Sequence, residues 1–176
     1  MTNNELEHLL DEYGRAIYSF CLSLTRSVND AEDLYQDTFL WAVDKLEKID
    51  KDNNPRSYLL AIAANLWKNK RKKHLRRGGI MHFEVITEEN KDLLNGQGLP
   101  SLEEEVLQKE IAATVQVIVA ELADKWRMPV YLYYMLDLSI EEIATILRIP
   151  KGTVKSRLYK ARDIIKKRLE AFGYER

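Results

Sequence analysis

An all-helical chain is predicted from three observations. Gly and Pro are scarce, at seven and four in 176 residues. Strict alternation of apolar and polar residues is rare, which removes the main signature of half-buried strands. Hydrophobic residues make up 45% and charged residues 31%, a balance that suits amphipathic helices in a soluble globular protein. The length allows one medium domain or two small ones. The pattern favours two small helical domains, 1–77 and 102–176, joined by a flexible linker over 78–101. The C-terminal domain ends in a helix-turn-helix.

The elements follow in order. Glu5 to about Ser27 reads as one helix, with Leu6, Leu9, Leu10, Tyr13, Ile17, Phe20, Cys21 and Leu24 on its apolar side. Asn29-Asp30 starts the next, which carries Ala31, Leu34, Phe39, Leu40, Ala42, Val43 and Leu46. The run Asp50 to Ser57 is a loop, and Asn54-Pro55 is a turn signal that opens a third helix at Pro55 or Ser57. Gly78-Gly79 stops that helix. The text up to about Ser101 is acidic and broken again at Asn95 to Gly98, which reads as a linker. Phe83, Val85 and Ile86 within it suit a short strand or packing on a domain. A helix restarts at Ser101 and runs to about Ala123, and another spans Trp126 to Leu136.

The C-terminal stretch is the most informative. Ser139 and Glu142 have capping-box spacing, and Ile140, Ile143, Ala144 and Leu147 share one face. Ile149-Pro150 breaks the pattern, and Pro suits the first turn of a following helix. That helix buries Val154, Leu158 and Ala161. Lys151, Thr153, Lys155, Ser156, Arg157, Lys160 and Arg162 line its open face. Ala144 is small enough for a steep helix crossing. The result is a helix-turn-helix with a basic recognition helix, shaped for a major groove.

Net charge is only -1, but the charges are separated. Lys68 to Arg77 contains no acid, and Arg148 to Arg168 contains only Asp163. Acids gather at Asp30 to Asp44 and at Glu84 to Glu110. Separated charge suits a protein with one face for nucleic acid and another for protein. Tyr58, Asn65 and Trp67 beside the first basic cluster fit single-stranded DNA, where bases stack on rings and phosphates meet cations. A solvated helix end, favoured by the helix dipole, is the plainer alternative. The stripe Asp30, Glu32, Asp33, Asp37 and Asp44, with Gln36, Phe39 and Trp41 among it, fits a docking face, a solvated face or, more weakly, a metal site.

Several classes find little support. Cys21 is the lone cysteine, set among apolar neighbours, so a buried inert thiol is expected and no disulfide or thiolate site. No phosphate-binding loop, zinc pattern or catalytic triad spacing is present, so no enzyme, cofactor or metal is expected. No apolar run approaches the ~20 residues that span a bilayer. The acidic, amphipathic start is unlike a signal peptide, and a cytoplasmic protein without membrane insertion is expected.

These residues resemble a family. Asp30 to Leu46 is similar to the core-polymerase-binding helix of bacterial sigma factors, and Pro55 to Lys73 to the adjoining promoter-melting helix. Leu122 to Leu169 resembles the family's C-terminal promoter-binding domain. Size and layout resemble the extracytoplasmic-function group. The resemblance implies an initiation factor whose partners are core RNA polymerase, promoter DNA and commonly an anti-sigma factor, often in the membrane. It implies that Asp33, Gln36, Asp37, Phe39 and Leu40 meet the polymerase clamp. Asn54 closes the matching specificity loop, and Asn65 falls where a flipped minus-ten base is held. Lys68, Lys70, Arg71 and Lys72 would track phosphates. Arg148, Lys151, Thr153, Lys155, Ser156, Arg157 and Lys160 would meet the minus-thirty-five element.

The chain departs from the family pattern at three places. Arg148 stands where the turn normally has Gly, and a left-handed conformation there would cost about 1–2 kcal/mol. Ala123-Asp124 replaces Pro-Pro, and Pro129 fits only within a first helical turn. The resemblance also implies that the linker acids run through the polymerase as a nucleic-acid mimic, so that changing Glu88, Glu89 and Asp92 to Lys would alter early transcription. Two rivals remain: a free-standing helix-turn-helix repressor or activator, dimeric on a palindrome, and a metal-dependent nuclease built on the Asp30–Asp44 carboxylates. The acidic stripe and the melting-type helix argue against the first. A compact arrangement of the two domains would cover both basic surfaces.

Overall fold

A computed structural model of the chain describes residues 3–45, 54–78 and 102–174, with residues 3–6 and 102–106 described as backbone alone. Leu46, the loop residues 46–53 and the linker from Gly79 onward, with Phe83, Val85, Ile86 and the acids at 88, 89 and 92, lie outside the described residues. The elements are α1 (Asn3–Thr25), α2 (Val28–Asp44), α3 (Pro55–Arg76), α4 (Leu102–Glu121), α5 (Asp124–Val130), α6 (Ile140–Leu147) and α7 (Lys151–Ala171). A π-helical segment, Tyr131–Met135, follows α5 directly. Among the described residues there is no strand.

α1, α2 and α3 pack together around Ile17, Phe20, Cys21, Leu24, Leu34 and Leu60. The turn from α1 into α2 is capped by Ser27, whose hydroxyl accepts from the Asp30 amide at 3.4 Å. The helix therefore begins at Val28, one residue before the expected Asn29-Asp30. A hydroxyl at this position satisfies an amide that the first helical turn leaves unpaired. Gly14 permits the close approach of α1 to α2: a Cβ there would lie 2.8 Å from the Tyr35 hydroxyl. α3 opens with Asn54 as its cap, the side chain accepting from the Ser57 amide at 3.1 Å, and with Pro55 in the first turn.

In the C-terminal half, α7 packs on α4, α5 and α6. The capping box of α6 is formed: the Glu142 carboxylate accepts from the Ser139 amide at 2.8 Å, and the Ser139 hydroxyl from the Glu142 amide at 3.2 Å. Ile146, missing from the expected face, is fully buried beside Ile143 and Leu147, whereas Ile140 is half-buried. Arg148 ends α6 in the left-handed region, at φ 53° and ψ 52°, as the missing glycine required.

One helix start is corrected. α5 begins at Asp124, two residues before the expected Trp126, so Pro129 lies in its second turn. Its ring nitrogen has no hydrogen for the Lys125 carbonyl four residues back. The backbone then widens into the π segment, where the Leu136 amide donates to the Tyr131 carbonyl at 3.2 Å.

The two halves are packed on each other. α3 lies on α6, and the π segment lies on α1, where Ser19 and Tyr131 share a buried hydroxyl hydrogen bond. Apolar residues of both halves form one continuous core, from Leu9 in α1 to Ala161 in α7.

Candidate nucleic-acid interface

The outer face of α2 is an acidic and apolar strip. Asp33, Gln36, Asp37, Leu40 and Trp41 recur at three- and four-residue spacing and are all exposed, Leu40 by 67%. Lys45 lies over the Trp41 ring, 5.8 Å from its centroid. Phe39 is not on this surface. It is 7% exposed, with its ring 4.8 Å from Tyr35, because α2 turns that edge toward α1 and α3. Asp30 also leaves the strip and pairs with Lys70 of α3 at 3.4 Å. Among the described residues no group of three or more His, Cys, Asp or Glu is arranged to hold a metal ion.

α3 carries the first cationic surface. Lys70 and Lys72 are exposed, Asn65 and Arg71 half-buried. Trp67 is not available as a stacking platform. It is 1% exposed, and its indole N–H donates to Asp124 at 3.0 Å. Tyr58 is likewise half-buried against the core. The amphipathic rings that suggest base stacking in the sequence are used for packing.

The helix-turn-helix carries the second. Lys151, Lys155, Ser156 and Lys160 are exposed on α7, with Thr153 and Arg157 half-buried. Lys151 pairs with Glu141 at 3.0 Å, and that hydrogen bond leads the effects that hold the Glu141 carboxyl below its ordinary range. Lys160 lies 3.4 Å from Asp163. Arg162 is turned away from this face: it donates to the Tyr134 hydroxyl at 3.2 Å, beside an apolar cleft of about 800 Å³ lined by Leu22, Val119, Met135 and Ile165. Tyr159, which the sequence reading passed over, is 71% exposed on α7. Its signal was an aromatic set between Leu158 and Lys160 on a helix whose apolar face was already complete.

The two cationic surfaces meet. Lys68 donates to the Leu147 carbonyl at 3.1 Å, and its pKa is lowered by burial and by the nearby charges of Arg157 and Arg148. Asn54 donates to Glu142 at 2.6 Å, and Arg56 to the Leu136 carbonyl at 2.9 Å. Asp124 receives Trp67 and also pairs with Arg71 and with Arg127, the latter at 2.6 Å. Arg127 is buried and also donates to the carbonyls of Ala120 and Leu24 at 2.9 and 3.0 Å. Burial pushes its pKa down to about 10 against the pull of the Asp124 carboxylate. The sequence offered one hint of it, an Asp at i−3 from an Arg entering an apolar run. Cys21 is fully enclosed, and burial pushes its thiol up to about 12, so it stays protonated and unreactive.

Two family models match the chain in order. Sigma-70 region 2 covers residues 9–77, and sigma-70 region 4 covers residues 112–165. The chain is 31% identical over 165 residues to the extracytoplasmic-function RNA polymerase sigma factor SigW of Bacillus subtilis, spanning 92% of this chain and 87% of that one.

This chain belongs to the extracytoplasmic-function sigma factors.

The RNA polymerase sigma-H factor of Pseudomonas aeruginosa is 30% identical over 167 residues, covering 92% of this sigma factor and 84% of that one. Among solved structures, the sigma factor RpoE of Bartonella quintana in complex with the anti-sigma factor NepR superposes with a TM-score of 0.73 at 23% identity, covering 99% and 100% of the chains. CnrH in complex with the cytosolic domain of CnrY gives 0.64 at 20% identity. As a member of this family the protein is an alternative sigma factor, binding core RNA polymerase and directing promoter-specific transcription initiation. The free-standing repressor reading is not favoured, since sigma-70 region 2 accounts for residues 9–77 beside the helix-turn-helix region. No helix among the described residues is long and apolar enough to cross a membrane.

Proposed function

We propose that this sigma factor docks on core RNA polymerase through the outer face of α2 and engages the promoter with α3 and α7. The observation that carries the assignment is the division of charge: the acidic, apolar strip of α2 is separate from the cations of the other two helices. Asp33, Gln36, Asp37, Leu40 and Trp41 form the polymerase contact, with Phe39 supporting the helix from beneath. Asn65 reads an unstacked minus-ten base of the non-template strand, and Asn54 contacts the same element from the start of α3. Lys68, Lys70, Arg71 and Lys72 hold its phosphates. Extruding a base costs a few kcal/mol, and a pocket that rewards only the right base makes melting sequence-selective. Arg148, Lys151, Thr153, Lys155, Ser156, Arg157 and Lys160 contact the minus-thirty-five element, divided between phosphates and base edges. Tyr159 joins them as an apolar contact.

In this reading residues 1–77 and 102–176 are the two functional domains and 78–101 the linker. The protein is a dissociable cytoplasmic factor without catalytic activity, cofactor or membrane insertion of its own. An anti-sigma partner is part of the proposal, supported by the fold shared with RpoE, which is bound to one.

The test is transcription in vitro from fragmented genomic DNA with core RNA polymerase, mapping the RNA 5′ ends. Starts that appear only with this protein, behind a shared two-box promoter, are expected. Asn65→Ala should relax selection at one minus-ten position, where a mismatched base typically costs about 1–3 kcal/mol. Absence of new starts, together with tight duplex binding by the protein alone, would overturn the proposal in favour of a repressor.

A further inference from the structure

We propose that Asp124 is an intramolecular latch that holds the free protein closed and occupies part of its minus-ten DNA surface in place of phosphate. The proposal rests on the assignment of α3 to promoter DNA.

The geometry centres on one carboxylate. One oxygen of Asp124 accepts the Trp67 indole N–H at 3.0 Å and pairs with Arg71, both from α3. The other accepts from Arg127 at 2.6 Å, a residue of its own helix that also reaches the Leu24 carbonyl of α1 at 3.0 Å. The carboxylate is therefore a node joining three helices. Charge-assisted hydrogen bonds of this kind are about twice as strong as neutral ones, and partial burial spares them most salt screening.

Around the node the same substitution recurs. Of the six residues assigned to minus-ten DNA, Arg71 is held by Asp124, Lys68 by the Leu147 carbonyl and Asn54 by Glu142. All three partners are oxygens of the C-terminal half, and all stand where phosphate or base acceptors would be needed. This packing is opposed by charge, because it brings Lys68 against Arg148 and Arg157. The apolar core shared by the halves favours closure, and Asp124 places an anion among the cations that closure gathers.

The closed form is incompatible with promoter binding. Elements centred at minus ten and minus thirty-five are about 85 Å apart along duplex DNA at ~3.4 Å per base pair. α3 and α6 are packed in direct contact. The halves must part, and the bonds at Asp124 must break, before both elements can be engaged. Polymerase and DNA then act as ligands of the open state and shift its population.

The test uses the full chain with donor and acceptor dyes on the exposed positions Glu12 and Lys166, one in each half, to report closure by energy transfer. Asp124→Asn removes the charge and keeps the size, and Trp67→Phe removes the indole donor and keeps a smaller aromatic ring. Each should lower energy transfer while circular dichroism stays helical. Each should also tighten binding of the free protein to single-stranded non-template DNA by about tenfold, the factor by which a molecule nine-tenths closed understates its intrinsic affinity. Holoenzyme transcription with Asp124→Asn should be unchanged, because the polymerase-bound form is already open. Should Asp124→Asn fail to fold, the Trp67→Phe protein gives the same two readouts.

Unchanged energy transfer in a folded variant overturns the latch. Lower energy transfer with unchanged DNA affinity overturns the masking of α3. Arg71→Ala in the holoenzyme separates this from failure of the underlying assignment: if promoter opening is unaffected, α3 is not the DNA surface, whatever Asp124 does.

Discussion

Arg148 holds φ 53° and ψ 52° at the end of α6, a conformation that brings its Cβ close to the following carbonyl oxygen. A glycine there has no Cβ to clash, and Arg148→Gly would also relieve the repulsion with Lys68. The variant should be more stable by about 1 kcal/mol, after allowing for the greater freedom of glycine in the unfolded chain. In a chain of this size that raises Tm by roughly 2–4 °C. Binding to a minus-thirty-five duplex should weaken at the same time, because a cation is lost. A lower Tm in calorimetry would mean that Arg148 has native contacts worth more than its strain. The left-handed turn was expected only through the resemblance, in which a glycine normally stands where this chain has Arg148. The like-charge contact with Lys68 was not, since it joins residues eighty positions apart.

At the scale of the element, α2 separates what the sequence joins. The resemblance assigns Phe39 and Leu40 together to the polymerase contact, and Ala42 and Val43 follow them, yet Phe39 and Ala42 are buried while Leu40 and Val43 are exposed. Four apolar residues within five positions span more of a helix circumference than one buried stripe can take, and only packing against α1 and α3 decides which edge turns inward. The distinction has opposite experimental signatures. Phe39→Ala should cost about 3–5 kcal/mol of stability by opening a cavity. Leu40→Ala should leave Tm nearly unchanged and weaken core polymerase binding by more than about 1 kcal/mol, the usual threshold for a contact that matters in an interface. Equal losses of Tm in the two variants would remove the docking face. In α5 the same kind of decision displaced Pro129 to the second turn: Asp124 gains partners by entering the helix, and the π segment absorbs the lost backbone bond.

For the molecule as a whole, the continuity of the core matters most. Trp67 of α3 is enclosed beside a C-terminal carboxylate, and Arg127 of α5 is bonded into α1. Neither half can unfold without exposing apolar surface of the other. The free protein should therefore melt in one calorimetric transition whose measured and van't Hoff enthalpies agree. Two separated transitions would show that the halves are independent in solution and that their contact is weak.

Motifs in order along the chain carried the resemblance to the family, and the sequence by itself determined the helical class, the capping box that starts α6 and the helix-turn-helix. Each depends on residues within one or two helical turns of each other, where spacing translates directly into geometry. Only the tertiary structure decided that the two halves share a core, that Trp67 and Phe39 are packing residues, and that Asp124 joins three helices. Those outcomes rest on contacts between residues about sixty to one hundred positions apart, or on competition among several apolar edges. No local pattern fixes such pairings, because their energies appear only once the helices have been placed against one another.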